Sequence, residues 1–191
     1  MGDLRLNDIS YSGNGTGVLM LNGINYTGGG SGGGEIVLSP IAVTSQMVTT
    51  SSTVGSNFEG YRAFNGQSCN LSTMQGGWLA AASDSMPYLK VDFGTAKTLR
   101  RLAVETANNA NPDTTRAVYV EGSNDGNSWE NVLSSGNTAS LEFVNGSYSE
   151  FAFDLNGNSY RYFRIRGTEP FFGGSFQYAC CFSEVFIYEV L

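Results

Sequence analysis

Tyr88-Leu89-Lys90-Val91-Asp92-Phe93-Gly94 is the stretch whose reading decides the fold. Successive side chains of a strand point to opposite faces, so Leu89, Val91 and Phe93 are expected on a core, with Lys90 and Asp92 outside it. Gly94 is expected to stop the strand. The same period of two recurs in Leu102 and Val104, Val118 and Val120, Phe151, Phe153 and Leu155, Phe163 and Ile165, and Val185 and Ile187. Helical periodicity is sustained nowhere. Short alternating runs broken by turn residues are the pattern of an antiparallel sandwich or barrel. Asn124-Asp125-Gly126, between 119–123 and 129–132, predicts a hairpin, because Asp-Gly readily takes left-handed conformations.

Composition narrows the function classes. A chain of 191 residues suits one domain plus an appendage. Its net charge is −7, with no basic residue between Arg5 and Arg62, which argues against nucleic acid as a partner. No stretch approaches the roughly 18 apolar residues of a membrane span, so membrane insertion is not expected. The opening MGDLRLNDIS has neither a cationic start nor an apolar run, so a chain made in the cytoplasm without an export signal is expected. Cys69, Cys180 and Cys181 form an odd set with no CxxC spacing and no histidine anywhere, which predicts thiols packed as small apolar residues. The missing histidine also removes the usual general base and the common triads. Asp84, Asp113 and Glu169 show no paired spacing, so an enzyme is not expected.

Eleven of the 25 glycines fall within residues 1–34, ending in Gly28-Gly29-Gly30-Ser31-Gly32-Gly33-Gly34. That run reads as a flexible linker. The preceding Gly17-Val18-Leu19-Met20-Leu21-Asn22-Gly23-Ile24-Asn25-Tyr26 reads as a short strand and turn that cannot bury itself alone. Residues 1–38 are therefore expected to be an attachment arm, with a folded domain over 39–191.

Ala63-Phe64-Asn65-Gly66, Trp78, the 88–94 strand, Ser123-Asn124-Asp125-Gly126-Asn127-Ser128-Trp129, Tyr160-Arg161-Tyr162-Phe163-Arg164-Ile165 and Ser183-Glu184-Val185-Phe186-Ile187-Tyr188 occur in a characteristic order. Together they resemble the coagulation-factor type C, or discoidin, family over about residues 41–190. The resemblance implies an all-β, eight-stranded antiparallel jelly-roll sandwich whose loops at one end bind ligand. Relatives include family 32 carbohydrate-binding modules, lectins and phospholipid-binding domains, and fold alone does not choose among these ligands.

Many carbohydrate-binding relatives hold a structural calcium ion between an aspartate of the Asp-Gly loop and a glutamate of the last strand. Here Asn65 replaces the aspartate and Glu184 matches the glutamate, while oxygens near Ser68 and Ser72 would complete a hard shell. Against this stands a plainer reading, in which Asn65 supplies a turn and Glu184 a surface charge or a buried hydrogen bond.

Sugar recognition needs an apolar face for the ring and polar groups for its hydroxyls. The loop Glu169-Pro170-Phe171-Phe172-Gly173-Gly174-Ser175-Phe176-Gln177-Tyr178 corresponds to a binding loop of the family. Phe176 is its first candidate, with Phe172 and Tyr178 beside it, although Phe171 and Phe172 serve equally as core plugs. Asn108, Asn109 and Arg116 are the polar candidates; a solvated strand-edge arginine is the plainer account of Arg116. Gln67, Asn70 and Gln75 are weaker. Trp78 and Trp129 match family core positions and are read as structural.

Phe171 and Phe172 have only Glu169 as a charged neighbour, which ranks phospholipid below glycan. The architecture of a glycine-rich leader followed by one adhesion-type domain resembles bacteriophage tail-fibre, head-fibre and capsid-decoration proteins. It leads to the expectation of a virion-displayed module in which residues 1–38 contact other virion proteins; the alternatives are a purely structural virion assembly or decoration protein, or a glycan-binding module of a bacterial secreted enzyme or adhesin, with 1–38 then a linker. Weak single sites gain from copy number, so a homo-oligomer or a lattice-repeated position is expected.

Overall fold

The computed structural model describes residues 19–21, 24–26, 38–69, 76–81, 83–106, 114–133, 138–143, 148–152, 159–167 and 178–190. Its strands are β1 (Leu19–Leu21), β2 (Ile24–Tyr26), β3 (Leu38–Pro40), β4 (Val48–Thr50), β5 (Trp78–Ala81), β6 (Tyr88–Lys97) and β7 (Leu99–Thr106). They continue with β8 (Thr114–Ser123), β9 (Glu130–Asn131), β10 (Ala139–Phe143), β11 (Tyr148–Ala152), β12 (Tyr160–Gly167) and β13 (Tyr178–Val190). Three short 3₁₀ turns, Ser45–Met47, Ser56–Phe58 and Gly60–Phe64, lie between β3 and β5.

The chain divides into two compact units, residues 1–37 with Leu191, and Leu38–Val190. Within the first, β1 and β2 form an antiparallel hairpin, pairing Leu19 with Tyr26 and Leu21 with Ile24. The second unit is an antiparallel sandwich that begins at Leu38, which pairs with Val190 in β3 and so lies inside the sandwich.

One sheet has six strands, in the order β10-β8-β12-β6-β4 with β9 added to β8. The other has five, in the order β11-β7-β13-β3 with β5 added to β13. Against the expected eight strands, the sandwich has eleven among the described residues, of which β3, β4, β5 and β9 are pieces of two to four residues that extend the sheets locally.

The core follows the alternation. Leu89, Val91, Leu102, Val104, Val118, Val120, Phe163, Ile165, Val185 and Ile187 are all at most 2% exposed, and Phe93 is also buried. Burying each of the larger aliphatic or aromatic side chains contributes roughly 1.5–3 kcal/mol. The side chains of the 151–155 run lie outside the described residues.

Gly94 does not end β6, which continues to Lys97. Its φ of +74° is a conformation glycine takes readily, and it lets the strand bulge instead of stopping. Tyr162 pairs with Asp92 whereas Tyr160 pairs with Lys97, so β6 advances five residues while β12 advances two. Asp92 fixes the bulge. Its Oδ1 accepts the Gly94 N–H at 2.8 Å, and its two oxygens take Arg161 Nε and Nη2 at 2.8 and 2.9 Å.

The Asp-Gly hairpin forms between β8 and β9, pairing Gly122 with Glu130. Asp125 organises it: Oδ1 accepts the amides of Asn127 and Ser128 at 2.8 and 2.7 Å and the Ser123 hydroxyl at 3.0 Å. Those donors hold the Asp125 carboxyl well below the usual carboxylate range.

Candidate functional site

Strand termini place two connections at one end of the sandwich. Thr106 lies opposite Phe182 near the start of β13, and Gly167 lies opposite Val118 near the start of β8. The links from Thr106 to Thr114 and from Gly167 to Tyr178 therefore leave from the same end. Ser52 ties this end together, since its hydroxyl donates to Asp84 Oδ2 at 2.7 Å and accepts the Ala81 amide at 3.0 Å.

Of the glycan candidates, Asn108, Asn109, Phe172 and Phe176 fall on those two connections and lie outside the described residues. Tyr178 opens β13 and pairs with Ala81 of β5. Arg116 lies within β8, opposite Leu141 of β10.

The proposed calcium residues can be followed in more detail, except Ser72, which lies outside the described residues. Asn65 is exposed, and its Oδ1 accepts the Gln67 amide at 2.9 Å, the turn geometry of an Asx residue. Glu184 is 2% exposed, and its Oε1 accepts the same Gln67 amide at 2.6 Å. Ser68 donates its hydroxyl to both carboxylate oxygens of Glu105, at 3.1 and 3.0 Å. The Cys69 amide donates to Ser183 Oγ at 2.6 Å, which fastens the 65–69 segment onto β13. Cys69 itself is half-buried.

Glu105, which the sequence reading passed over, is the second carboxylate of this site. It lies opposite Glu184 in the β7–β13 register and is 5% exposed. Sequence alternation assigns it to the outer face of its sheet, beside inward Val104. Its burial arises because 65–69 crosses that outer face, an event with no local signal. Gly77 permits the approach: at φ +69°, a Cβ there would stand 2.6 Å from the Phe182 carbonyl oxygen.

Burial pushes the Glu184 carboxyl up to about 7, with Glu105 adding to the rise and the amides of Gln67 and Gly66 opposing it. Glu184 Oε2 is buried and has no hydrogen-bond partner among the described residues. Two adjoining buried carboxylates with an orphan oxygen require a proton or a cation, and their oxygens suit a hard ion. No group of three or more His, Cys, Asp or Glu side chains converges on a metal position among the described residues. An ion here would therefore rest on Glu184, Glu105 and neutral oxygens. Asn65, turned to Gln67, contributes no charge.

Next to this pair lies a cavity of about 220 Å³ lined by Ile41, Val43, Phe64, Phe186 and the buried Glu184. Trp78, at 0% exposure, is core as expected: its Nε1 donates to the Ser52 carbonyl at 2.9 Å and its ring meets Phe182 at 5.3 Å. Trp129 is different. It is half-buried and carries the Arg164 guanidinium 3.9 Å above its ring.

The sequence profile of the F5/8 type C domain matches residues 47–179. No curated protein sequence matches the chain. Among solved structures, the family 32 carbohydrate-binding module of C. perfringens NanJ, in complex with galactose, superposes with a TM-score of 0.58 at 18% identity, covering 80% of this chain and all (100%) of that one. The chitosan-binding module 1 of a chitosanase/glucanase from Paenibacillus sp. IK-5 has a TM-score of 0.54 at 22% identity, covering 74% and 92%. The CBM32 of AlyQ, in complex with 4,5-unsaturated mannuronic acid, has a TM-score of 0.53 at 24% identity, covering 73% and 92%. At these identities the likeness is one of fold.

Proposed function

Because the chain belongs to the F5/8 type C domain family, we propose that it is a non-catalytic carbohydrate-binding module that grips glycans with the loop end of its sandwich. The observation that carries this reading is the profile match across residues 47–179 on an antiparallel sandwich whose neighbours are sugar-binding modules. Phe176 supplies the apolar face for a sugar ring, with Phe172 and Tyr178 flanking it; Arg116, Asn108 and Asn109 supply polar contacts to hydroxyls. The proposal is non-catalytic, in keeping with a sequence that holds no histidine to serve as the usual general base.

The module is mounted by residues 1–37 on a larger assembly, for which a phage particle is the setting we favour. The division of the chain at Leu38 and the glycine run before it support an arm distinct from the sandwich. Repetition on the particle or in a homo-oligomer raises avidity over a weak single site. A structural calcium ion belongs to the same reading. Glu184, Glu105 and Ser68 would hold it, and bound there it would neutralise the carboxylate pair and pin 65–69 to β13.

A glycan array with the multimerised chain tests the central claim. Binding to at least one glycan class is expected, with Phe176→Ala and Arg116→Ala each lowering the signal about tenfold or more, the scale of roughly 1.4 kcal/mol. Silence against every glycan would leave assembly as the function.

A further inference from the structure

The outer face of the six-stranded sheet carries a second constellation, which starts beside Gly167 at the loop end and runs away from it along β12. On β12 the side chains alternate, so Phe163 and Ile165 enter the core while Tyr162, Arg164 and Arg166 stand outward. Register extends these into rungs across the sheet. Thr49, Lys90, Arg164, Glu121 and Asn131 form one rung from β4 through β6, β12 and β8 to β9. Tyr88, Arg166 and Tyr119 form the next, and Asp92, Tyr162 and Ser123 the one on the other side.

Glu121 is the internal anchor. Its Oε2 takes Arg164 Nε at 2.6 Å and Arg166 Nε at 3.1 Å, and its Oε1 takes Arg166 Nη2 at 3.0 Å. The guanidinium groups lie over aromatic rings, Arg164 on Trp129 at 3.9 Å, Arg166 on Tyr119 at 4.3 Å and Arg161 on Tyr162 at 4.8 Å. The arginines are therefore held in fixed orientations before any ligand arrives, which lowers the ordering cost of binding.

The cluster keeps unused capacity. Lys90 Nζ makes no ion pair among the described residues. Arg164 uses only Nε, and its two Nη atoms are neither hydrogen-bonded among the described residues nor sealed from solvent. Lys90, Arg161, Arg164 and Arg166 set against Asp92 and Glu121 leave +2 among these six residues. The chain as a whole carries −7, so the remainder is −9. Four of the ten basic residues thus gather on one platform of a protein that elsewhere repels anions.

We propose that this outer sheet face, centred on Lys90 and Arg164, is a docking platform for an acidic polysaccharide. Carboxylates along such a chain match the free Nη groups and the ammonium, while its hydroxyls match the outward Tyr88, Tyr119 and Thr49 side chains. Adjacent rungs along the open sheet face suit an extended chain that spans several of them. The platform goes beyond the loop-end site, and either can exist without the other.

The test uses the full chain and polygalacturonate, with its methyl-esterified form as the uncharged counterpart and poly-glutamate as a polyanionic polypeptide. Polygalacturonate is expected to bind, to weaken at least tenfold between 50 and 300 mM salt, on the order expected where several charges are neutralised, and to lose binding on esterification. Lys90→Glu and Arg164→Gln should each weaken it about tenfold or more. Lys90 lies on the surface, so its variant keeps the test open if Arg164→Gln unfolds. Amide shift changes on titration should fall on β4, β6, β8 and β12. No binding, equal binding of poly-glutamate, or shift changes confined to the 107–113 and 168–178 segments would each overturn the platform. Failure on the glycan array bears instead on the loop end.

Discussion

Trp78→Ala is expected to cost about 3–5 kcal/mol of folding stability, the range for deleting a fully buried large aromatic. In a domain of this size that corresponds to a fall in unfolding temperature of roughly 10 °C or more. Two losses add. The indole is 0% exposed and packs on Phe182, so its removal leaves a cavity between β5 and β13. Its Nε1 also satisfies the Ser52 carbonyl, which would be left without that donor. Ser52 ties Asp84 and Ala81 together at the loop end, so the damage should spread to the glycan-binding loops. Trp78→Phe should recover most of the packing and lose mainly the hydrogen bond, about 0.5–1.5 kcal/mol. Thermal unfolding of both variants decides it. An unchanged unfolding temperature with abolished sugar binding would mean that Trp78 is a ligand platform and not core.

That prediction was within reach of the sequence, because Trp78 sits in an order of core signals that resembles the family's and that strand alternation makes readable. Leu89 and Phe163, in the strands that carry those signals, are buried as the period of two requires. Gly94 shows the limit of local punctuation. A glycine reads as a stop, yet in β6 it permits a bulge, and what keeps the strand going is the fork between Asp92 and Arg161, 69 residues apart.

The site was legible only in part for the same reason. Glu184 could be picked out because the resemblance matches it to the glutamate of the family's last strand. Glu105 could not, because its sequence context describes an outward residue and its burial depends on 65–69 folding over β7 and β13. The rungs of the outer sheet face were equally hidden. Lys90, Arg164 and Glu121 are widely separated in the chain, and only register places them side by side.

The buried pair leads to the second large effect, on pH and calcium. The Glu184 carboxyl stands at about 7 in the folded chain against 4.5 when unfolded, so the folded state binds the extra proton between those values. Stability should therefore be highest below 4.5, fall as pH rises towards 7, and level off above it. A separation of that size corresponds to on the order of 3 kcal/mol at most. Among the described residues, no other resolved shift falls in this window. The chain has no histidine, and the carboxyls held low, Asp92, Glu121 and Asp125, lose their contribution only at more acidic pH. In EDTA, the unfolding temperature is expected to drop by roughly 5–10 °C from pH 5 to pH 7.5. Calcium in large excess should return about 3 kcal/mol at pH 7.5, as for a ligand at a hundred times its dissociation constant. Glu184→Gln carries no charge to bury, so it should flatten the pH profile and abolish the calcium response together. A wild-type profile flat in EDTA would show that Glu184 is solvated. A pH-dependent profile unmoved by calcium would show that the pair is neutralised by the proton alone.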